Sequence, residues 1–328
     1  MSVATASPLL SLPHMAADRE RVEAAMLAAV RTSDDYLTEI ASHLITAGGK
    51  RLRPVMAIAA SLVATGGSAA EEAIQGGIAC ELVHLGSLYH DDVMDESTTR
   101  RGVETVNAKW GNLQAILAGD FLLARASEIA ASLGTEVAGL LAHTIGNLCE
   151  GQIEELRHTY DISRPVDSYL VSIDGKTASL YSTAARIGGI VAGHDRTVID
   201  ALTRYGTAYG MVFQIVDDIL DITSSDAELG KPAGHDMVEG VYTLPVLHTM
   251  AVGDATGKEL KSMLGAPLDD AQQRRALEIV RAGSGIQFAI ETAQRFVQEA
   301  SDACDALPQG EVTNALREAT NSLLQSIA

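Results

Sequence analysis

The sequence predicts an all-α protein, and three features of its residues support that prediction. Aromatic residues make up 4% of the 328 residues, and alanine and leucine supply most of a hydrophobic content of 47%. This bias favours packed helices over sheets. Nearly every segment repeats its apolar residues at helical spacing, and none keeps a period-two alternation of β-branched residues. Short glycine or proline breaks separate the segments, so we expect about a dozen helices.

The predicted segments follow one another without a low-complexity linker. Residues 1–16 are expected to form a flexible N-terminal tail. Residues 17–328 are expected to form a single all-α domain. The breaks between the predicted helices fall at Gly48-Gly49, Gly66-Gly67, Gly102, Gly134, Pro165, Gly193 and Gly283 to Gly285. The stretch from Thr223 to Pro245 is polar, contains several glycines and two prolines, and has no clean period, which is typical of a functional loop.

The charge and the cysteines exclude several classes of function. The net charge is −19 and the pI is near 4.8, so the surface repels nucleic acid and anionic membranes. No apolar run approaches the roughly 18 residues of a membrane span. The N-terminus lacks the basic head of a signal peptide, and Cys80, Cys149 and Cys304 lack metal-ligand or redox spacing. We therefore expect a cytoplasmic protein with reduced thiols.

The most informative feature is a pair of acid clusters with the same spacing. Each has the pattern D-D-x-x-D, in LYHDDVMDESTTRRG and in FQIVDDILDIT. The aspartates are Asp91, Asp92 and Asp95 in the first cluster and Asp217, Asp218 and Asp221 in the second. Residues three and four apart project from one side of a helix, where like charges repel each other. Because both segments are apolar, we expect cations to neutralise these acids.

The repetition of the acid cluster favours a metal site over a solvated surface. One such cluster in an acidic protein is usually a solvated helix face, whereas two in equally apolar settings point to a shared role. Carboxylate oxygens suit Mg²⁺, which takes one or two carboxylates per ion and completes its shell with water and phosphate oxygens. Two facing clusters therefore predict a clamp for magnesium ions that bridge to a diphosphate.

Cationic residues gather beside the breaks and the acid clusters. The chain has only 24 lysines and arginines, and seven of them lie at these places: Lys50, Arg51, Arg53, Arg100, Arg101, Lys176 and Lys231. Arginine guanidinium and lysine ammonium groups are the usual partners of phosphate oxygens. His84 lies two helical turns before Asp91 on about the same face, although a lone histidine there is more often a core residue than a ligand.

The motifs together resemble one protein family. G-G-K-R-L-R-P, D-D-V-M-D…R-R-G, G-D-F-L, G-Q, K-T-A-S-L, F-Q-I-V-D-D-I-L-D and G-K-P-A-G-x-D occur in this order between about Gly48 and Pro245. This set resembles the trans-isoprenyl diphosphate synthases, also called polyprenyl synthetases. The resemblance implies a single large helical bundle of the isoprenoid synthase type around a deep central cavity, in a homodimer. It also implies head-to-tail condensation of isopentenyl diphosphate with an allylic prenyl diphosphate.

The resemblance implies a role for each candidate residue. The two acid clusters would hold two or three Mg²⁺ ions, with Mn²⁺ as a substitute, on the allylic diphosphate from opposite walls. That diphosphate would also be bound by Arg100, Lys176, Thr177, Gln214 and Lys231, of which the two lysines are also assigned to catalysis. Isopentenyl diphosphate would be bound by Lys50, Arg53, His84 and Arg101. The resemblance leaves open whether the product is delivered to a membrane.

One position departs from the family pattern. Many members continue the loop after the second acid cluster as E-G-K-x-T. Here Glu239 and Gly240 are followed by Val241. One cation of the diphosphate site is therefore missing or is supplied from elsewhere in the chain.

Product length is predicted from the helical turn before Asp91. Gly86 and Ser87 would point into the path of the growing chain, where short-chain members of the family carry bulky aromatic residues. Leu82 and Val83, one helical turn before Gly86 and Ser87, are apolar but not aromatic. Because the first two positions are small, we expect an all-trans product of C20 or longer, with C30 or more favoured.

Three other interpretations are open at this point. A class I terpene cyclase also ionises a prenyl diphosphate with D-D-x-x-D, but it usually varies the second cluster and lacks an isopentenyl diphosphate site. A non-catalytic subunit of a heteromeric prenyl synthase would tend to lose its aspartates, and all six are present here. A purely structural helical protein would leave the paired acid clusters unexplained.

Overall fold

The chain is helical along most of its length. The computed structural model describes residues 7–224 and 233–327. Its helices are α1 (Met15–Ala29), α2 (Asp35–Thr46), α3 (Leu52–Leu62), α4 (Glu71–Met94), α5 (Val106–Trp110), α6 (Asn112–Ser132), α7 (Thr135–Arg157), α8 (Val166–Ile173), α9 (Ser179–Val191), α10 (Arg196–Thr223), α11 (His235–Val238), α12 (Leu244–Val252), α13 (Ala255–Met263), α14 (Asp270–Ala282), α15 (Gly285–Asp305) and α16 (Glu311–Gln325). The all-α prediction is confirmed.

Aspartates begin several of these helices. The Asp34 carboxylate accepts hydrogen bonds from the backbone N–H groups of Tyr36 and Leu37 at the start of α2. Asp269 and Gln272 form a reciprocal capping box at the start of α14. These contacts satisfy N–H groups that have no partner within the helix itself, and they fix where each helix starts.

The predicted N-terminal tail is wrong from Ser7 onward. A 3₁₀ turn spans Pro8–Ser11 and α1 already begins at Met15. Leu9 is fully buried and Leu12 is 6% exposed, since both pack into the main apolar core. The apolar residues of this short segment are therefore part of the fold, because burying them removes apolar surface from water. Residues 1–6 of the predicted tail lie outside the described part, and the single-domain prediction stays a prediction.

A small hairpin follows α4 and was missed by the sequence reasoning, which expected Gly102 to end the helix. In fact α4 ends at Met94, and the strands Thr99–Arg100 and Val103–Glu104 pair in antiparallel fashion. The two residues between the strands, Arg101 and Gly102, have φ angles of 54° and 78°. A two-residue loop with both φ values positive matches the twist of a hairpin and favours glycine in the second position. The R-R-G sequence is thus a hairpin turn.

Close backbone contacts fix how the central helices cross. A Cβ atom on Gly188 in α9 would overlap the carbonyl oxygen of Ala57 in α3. A Cβ atom on Gly77 in α4 would lie 2.7 Å from the Cα atom of Pro54 in α3. α3 therefore packs between α4 and α9 at distances that only glycine permits. This packing places the N-terminus of α3 against the middle of α4, where Arg51 bonds Glu81.

The two acid clusters lie near the C-terminal ends of the two longest helices. α4 has 24 residues and α10 has 28, and both are largely buried. Within residues 7–224 and 233–327, none of the helices combines the length and the apolar character needed to cross a membrane.

The α3–α9 crossing gives a prediction about stability. Gly188→Ala should destabilise the protein by about 1–3 kcal/mol, because the added methyl group overlaps a backbone oxygen and the helices must move apart. Urea denaturation measures the loss. Gly139→Ala in α7 is the matched control, since a Cβ atom there would meet nothing within 4 Å and alanine favours the helix. Equal stability of the two variants would contradict the close crossing.

Candidate active site

A cavity of about 950 Å³ lies between the N-terminus of α3 and helices α4, α7, α9 and α10. Its walls mix apolar side chains with charged ones. Apolar surface comes from residues that include Leu88, Leu148, Tyr181 and Phe213. The cavity is large enough for a small ligand with a chain attached. The deep cavity implied by the family resemblance is present.

The three aspartates of the first cluster differ in what they face. Asp91 lines the cavity, and burial raises the pKa of its carboxyl group. Asp92 is fully buried, and its Oδ1 accepts a hydrogen bond of 2.6 Å from Arg100 Nε. Asp95 follows the last residue of α4 and is exposed. Desolvation, with the nearby charges of Asp91 and Glu239, raises the pKa of Asp95 to about 6.

The first two aspartates of the second cluster are divided in the same way, whereas the third, Asp221, is 4% exposed. Asp217 lines the cavity. Asp218 is 4% exposed, and both of its oxygens accept hydrogen bonds, from the Tyr169 hydroxyl at 2.5 Å and from Gln214 Nε2 at 2.8 Å. Burial raises the pKa of Asp218 well above its ordinary value. The Asp221 carbonyl accepts the Gly234 N–H, so this residue ties the end of α10 to the chain that returns from the following loop.

A π turn between α8 and α9 presents Lys176 and Thr177 to the cavity. Lys176 Nζ donates to Glu155 Oε1 at 2.7 Å, and the Thr177 hydroxyl donates to Gln214 Oε1 at 2.8 Å. The turn packs against α7 through two glycines. A Cβ atom on Gly151 would lie 2.5 Å from the Lys176 backbone nitrogen.

The sequence does not predict the contact between Gly151 and the π turn, although Gly151 belongs to the G-Q motif. A lone glycine inside a helical pattern signals a close backbone approach, but it does not say which segment approaches. The role of Glu155 as the partner of Lys176 had no signal in the sequence, because the two residues meet only through the packing of α7 on the π turn.

The opposite wall carries the remaining cations. Lys50, Arg53 and Arg101 all line the cavity. Arg53 lies over the ring of Tyr181, with its Cζ 4.7 Å from the ring centroid. The Arg101 guanidinium donates to the backbone carbonyls of Leu44 and Gly48, which holds the glycine turn before Lys50 in place.

Arg51 has a different role from the other cations of its motif. Its side chain is fully buried and bonds Glu23 and Glu81. Arg51 also adopts a left-handed backbone conformation with φ of 51°, which is uncommon for a residue with a side chain. The guanidinium therefore supports the loop around Lys50 from behind.

His84 lies in the same wall and is uncharged. It lines the cavity. Burial, reinforced by the positive charges of Arg53, Arg101, Arg100 and Arg51, lowers the pKa of His84 well below its ordinary value. A neutral imidazole has one donor and one acceptor nitrogen, so His84 offers at most one N–H to a bound anion.

The predicted chain-length positions are only partly placed as expected. Ser87 lines the cavity. Gly86 instead faces α6, since a Cβ atom on it would lie 3.0 Å from the Gly119 carbonyl oxygen and 3.3 Å from Leu123 Cγ. The expectation that both positions point into the cavity is therefore wrong for Gly86. Neighbouring residues of a helix are about 100° apart around its axis, so the two face different neighbours.

Four other positions complete the comparison with the sequence. Leu82 and Val83 are buried in the apolar core. Lys231 lies outside the described residues. Val241 is half-buried and its N–H donates to the Asp236 carbonyl, in the loop where many family members have a lysine.

The donor set fits metal ions that arrive with a substrate. Among the described residues, no three acidic, histidine or cysteine side chains are grouped closely enough to hold a metal ion by themselves. Asp91 and Asp217 nevertheless present hard carboxylate oxygens to one cavity from two helices. Mg²⁺ is commonly bound by one or two carboxylates together with phosphate oxygens and waters. The arrangement fits that mode of binding.

Comparison with known proteins decides the family. The model of the polyprenyl synthetase family matches residues 34–278. The chain belongs to the polyprenyl synthetase family. It is therefore a prenyltransferase, and the family resemblance seen in the sequence motifs is confirmed.

Individual members of the family match nearly the whole chain. A nonaprenyl diphosphate synthase from Mycobacterium tuberculosis is 39% identical over 289 residues, which is 88% of this chain and 86% of that protein. Component 2 of the heptaprenyl diphosphate synthase from Geobacillus stearothermophilus is 37% identical over 302 residues, covering 92% and 93% of the two chains. The crystal structure of a polyprenyl synthase from Caulobacter crescentus, complexed with calcium and isoprenyl diphosphate, has a TM-score of 0.90 at 32% identity and covers 98% of both chains.

The environment of His84 gives a prediction about its protonation. The imidazole should stay neutral from pH 8 down to below pH 6, because burial and the surrounding arginines disfavour its charged form. Histidine side-chain NMR over this range measures it, and the spectrum of a His84→Gln variant assigns the signal. A His84 resonance that titrates near the ordinary pKa of about 6.5 would contradict the buried, cation-lined site.

Proposed function

We propose that this prenyltransferase condenses isopentenyl diphosphate with an allylic prenyl diphosphate and releases pyrophosphate and an all-trans polyprenyl diphosphate of C20 or longer. The observation that carries the proposal is that Asp91 and Asp217 face one cavity whose walls also contain Lys50, Arg53, Arg100, Arg101 and Lys176. Because the chain has a net charge of −19, it can bind two anionic diphosphates only where cations are gathered locally. The direct test is incubation with both substrates and Mg²⁺, followed by chromatography of the products.

Of the six aspartates assigned to the metal ions, Asp91 and Asp217 line the cavity. They are the proposed ligands, together with Asp95 and Asp221 near the ends of the same two helices. Bound Mg²⁺ would supply Lewis-acid stabilisation of the charge that develops on the departing pyrophosphate. Asp92 and Asp218 are occupied by Arg100 and by Tyr169 with Gln214, which supports a role in orienting their neighbours. The relative crystallised with calcium and isoprenyl diphosphate supports a divalent metal, and Mn²⁺ is proposed as a substitute.

The chain's own residues divide the two substrates between two walls. The allylic diphosphate would be bound by Arg100, Lys176, Thr177 and Gln214. Lys231, which lies outside the described residues, is proposed to join them. The wall of Lys50, Arg53, His84 and Arg101 would hold isopentenyl diphosphate with its double bond towards the allylic carbon. This placement would make the reaction effectively intramolecular.

The proposed reaction transfers one prenyl group from the allylic diphosphate to isopentenyl diphosphate. The allylic C–O bond breaks and its electron pair leaves with pyrophosphate, so an allylic cation remains. The double bond of isopentenyl diphosphate attacks that cation and forms the new C–C bond, and a proton is then lost to the released pyrophosphate. Lys176 and Arg100 would stabilise charge on the leaving oxygens. Leu88, Leu148 and Phe213 would keep water away from the cation.

A long product is the proposed outcome, with C30 or more favoured. Ser87 is small and lines the cavity beside the first acid cluster. Along α7, Cys149, Ile153 and Leu156 continue the lining, and the last two are 56% and 47% exposed. An apolar path that reaches the surface does not by itself stop a growing chain. The nonaprenyl and heptaprenyl names of the two sequence relatives support this length.

A homodimer is the proposed assembly. On α6, Leu113, Ile116 and Leu117 are 74%, 41% and 66% exposed, an apolar surface of the kind that is normally covered by a partner. The word "component" in the name of one relative raises a second subunit as the alternative. A cytoplasmic location is proposed from the three cysteines, which are unpaired.

Removal of a metal-facing carboxylate should abolish most turnover. Asp91→Asn or Asp217→Asn should lower kcat by at least about a hundredfold, because metal-borne charge stabilisation is worth several kcal/mol. Product formation from radiolabelled isopentenyl diphosphate measures the effect. Asp200→Asn, on the same helix as Asp217 but paired with Arg186 at the surface, should leave turnover unchanged. Near-normal turnover of either site variant, or full activity in excess EDTA, would refute the clamp.

The different surroundings of Ser87 and Gly86 give a prediction about product length. Ser87→Phe should shorten the products by at least one isoprene unit while the enzyme stays folded, because the ring would enter the cavity. Gly86→Phe should mainly lower the melting temperature, since the ring would collide with α6. Mass spectrometry of the products and thermal unfolding separate the two effects. Unchanged products from a folded Ser87→Phe variant would place the limiting wall elsewhere.

A further inference from the structure

Tyr169 lies behind the cavity wall and bonds directly to the second acid cluster. It is on α8, 2% exposed, and its hydroxyl donates to Asp218 Oδ2 at 2.5 Å. The two residues are 49 positions apart in the chain. The segment around Tyr169 shows no feature in the sequence that singles it out, and no role has so far been assigned to it.

The hydrogen bond from Tyr169 belongs to a chain of contacts that ends at the cavity. Asp218 Oδ1 accepts from Gln214 Nε2 at 2.8 Å, and Gln214 Oε1 accepts from the Thr177 hydroxyl at 2.8 Å. Thr177 and Gln214 line the cavity. The orientation of the Gln214 amide is therefore set by Thr177 on one side and by Asp218 on the other.

Asp218 depends on the two donors because it is buried. A carboxylate removed from water is costly unless its oxygens accept hydrogen bonds. With Tyr169 in place, the carboxylate is satisfied on the side away from the cavity. Asp217, the residue before it on α10, faces the cavity.

A buried positive charge lies beside the tyrosine. The Cζ atom of Arg164 is 5.8 Å from the centroid of the Tyr169 ring, and this arginine is 5% exposed. Its Nε and Nη2 atoms are buried and have no hydrogen-bond partner in the described part of the chain. The guanidinium thus acts on the tyrosine and Asp218 through its field, which is strong where water is excluded.

We propose that Tyr169 is a positioning residue for prenyl transfer: its hydroxyl holds Asp218 as a buried carboxylate that binds no metal itself, and so fixes Gln214 and Asp217 towards the metal-bound diphosphate. The inference rests on the proposed function, because it needs a diphosphate and metal at this wall. Without the hydroxyl, Asp218 has one donor instead of two and can turn, which loosens the Gln214 amide and changes the charge behind Asp217.

The test compares the loss of a buried tyrosine hydroxyl beside the cavity with the loss of one far from it. Tyr169→Phe removes the hydroxyl that bonds Asp218. Tyr205→Phe is the matched control, since Tyr205 is fully buried on α10 and its hydroxyl donates to the Leu316 carbonyl at 2.7 Å, away from the cavity. Tyr169→Phe loses one buried hydrogen bond, and Tyr205→Phe loses two, because the Tyr205 hydroxyl also accepts from the Thr320 hydroxyl at 3.3 Å. The control should therefore be destabilised at least as much as Tyr169→Phe.

Three quantities are measured for wild type and both variants. They are the Mg²⁺ concentration that half-saturates thermal stabilisation by inorganic pyrophosphate, kcat for condensation, and KM for isopentenyl diphosphate. Tyr169→Phe should raise the Mg²⁺ half-saturation by about three- to tenfold and lower kcat by about tenfold, which corresponds to 1.4 kcal/mol. KM for isopentenyl diphosphate should stay within twofold, because the Lys50 wall is untouched. Tyr205→Phe should change none of the three.

A double-mutant cycle tests whether Tyr169 acts through Asp218. If it does, adding Tyr169→Phe to an Asp218→Asn variant should have no further effect on the Mg²⁺ half-saturation. If Tyr169→Phe fails to fold, the single Asp218→Asn variant tests the same hydrogen bond by changing its acceptor. An unchanged Mg²⁺ half-saturation in Asp218→Asn would overturn the inference.

The outcomes separate this inference from the proposed function. Wild type that shows no Mg²⁺-dependent stabilisation by pyrophosphate would overturn both. Wild type that shows it, with Tyr169→Phe behaving like Tyr205→Phe in all three quantities, would overturn the role of Tyr169 alone. Additive effects in the double-mutant cycle would overturn the route through Asp218.

Discussion

Carboxylates that are partly removed from water around one cavity impose the main constraint on this fold. An isolated buried carboxylate is strongly unfavourable, and one that keeps its charge needs a cation or hydrogen-bond donors close by. Asp92 has Arg100, and Asp218 has Tyr169 and Gln214. Asp91 and Asp217 face the cavity, where ions that enter with a ligand can add neutralising charge. The first aspartate of each motif therefore faces the cavity, whereas the second is held by protein side chains.

The same constraint explains why the cations are kept on separate walls. Lys176 is paired with Glu155 near the first acid cluster. The wall of Lys50, Arg53 and Arg101 contains its own carboxylates, Glu23 and Glu81, which bond the buried Arg51. Under the proposed function, one wall would bind a metal-bound diphosphate and the other a diphosphate held by cations alone. The charge separation follows from the local pairs and needs no net positive surface.

Helix packing and site geometry are linked through glycine. The contact of Gly151 on α7 with the π turn sets the position of the Lys176 backbone, and π turns within helices are frequent at functional sites. A Cβ atom on Gly49 would lie 2.9 Å from Arg51 and Arg101 nitrogens, so the loop before Lys50 can be enclosed by two guanidinium groups only because it has no side chain there. Glycines, which have no side chain, therefore determine where the charged groups lie.

The sequence alone determined the helical class, the two acid clusters and most of the cations, because these depend on local spacing and residue type. The period of the apolar residues predicts helices directly, and D-D-x-x-D places carboxylates on one side of a helix whatever the rest of the chain does. The resemblance to the polyprenyl synthetases added the proposed roles of Thr177 and Gln214, which no local pattern indicates.

Only the tertiary structure decided which face of each helix meets the cavity. It separated Ser87 from Gly86, bonded Asp218 to Tyr169 across 49 positions, and packed Leu9 into the core. It also turned Arg101 and Gly102 into a hairpin. The physical reason is common to all of these: burial and hydrogen bonding depend on segments distant in sequence, and their approach is set by packing that a local period does not encode.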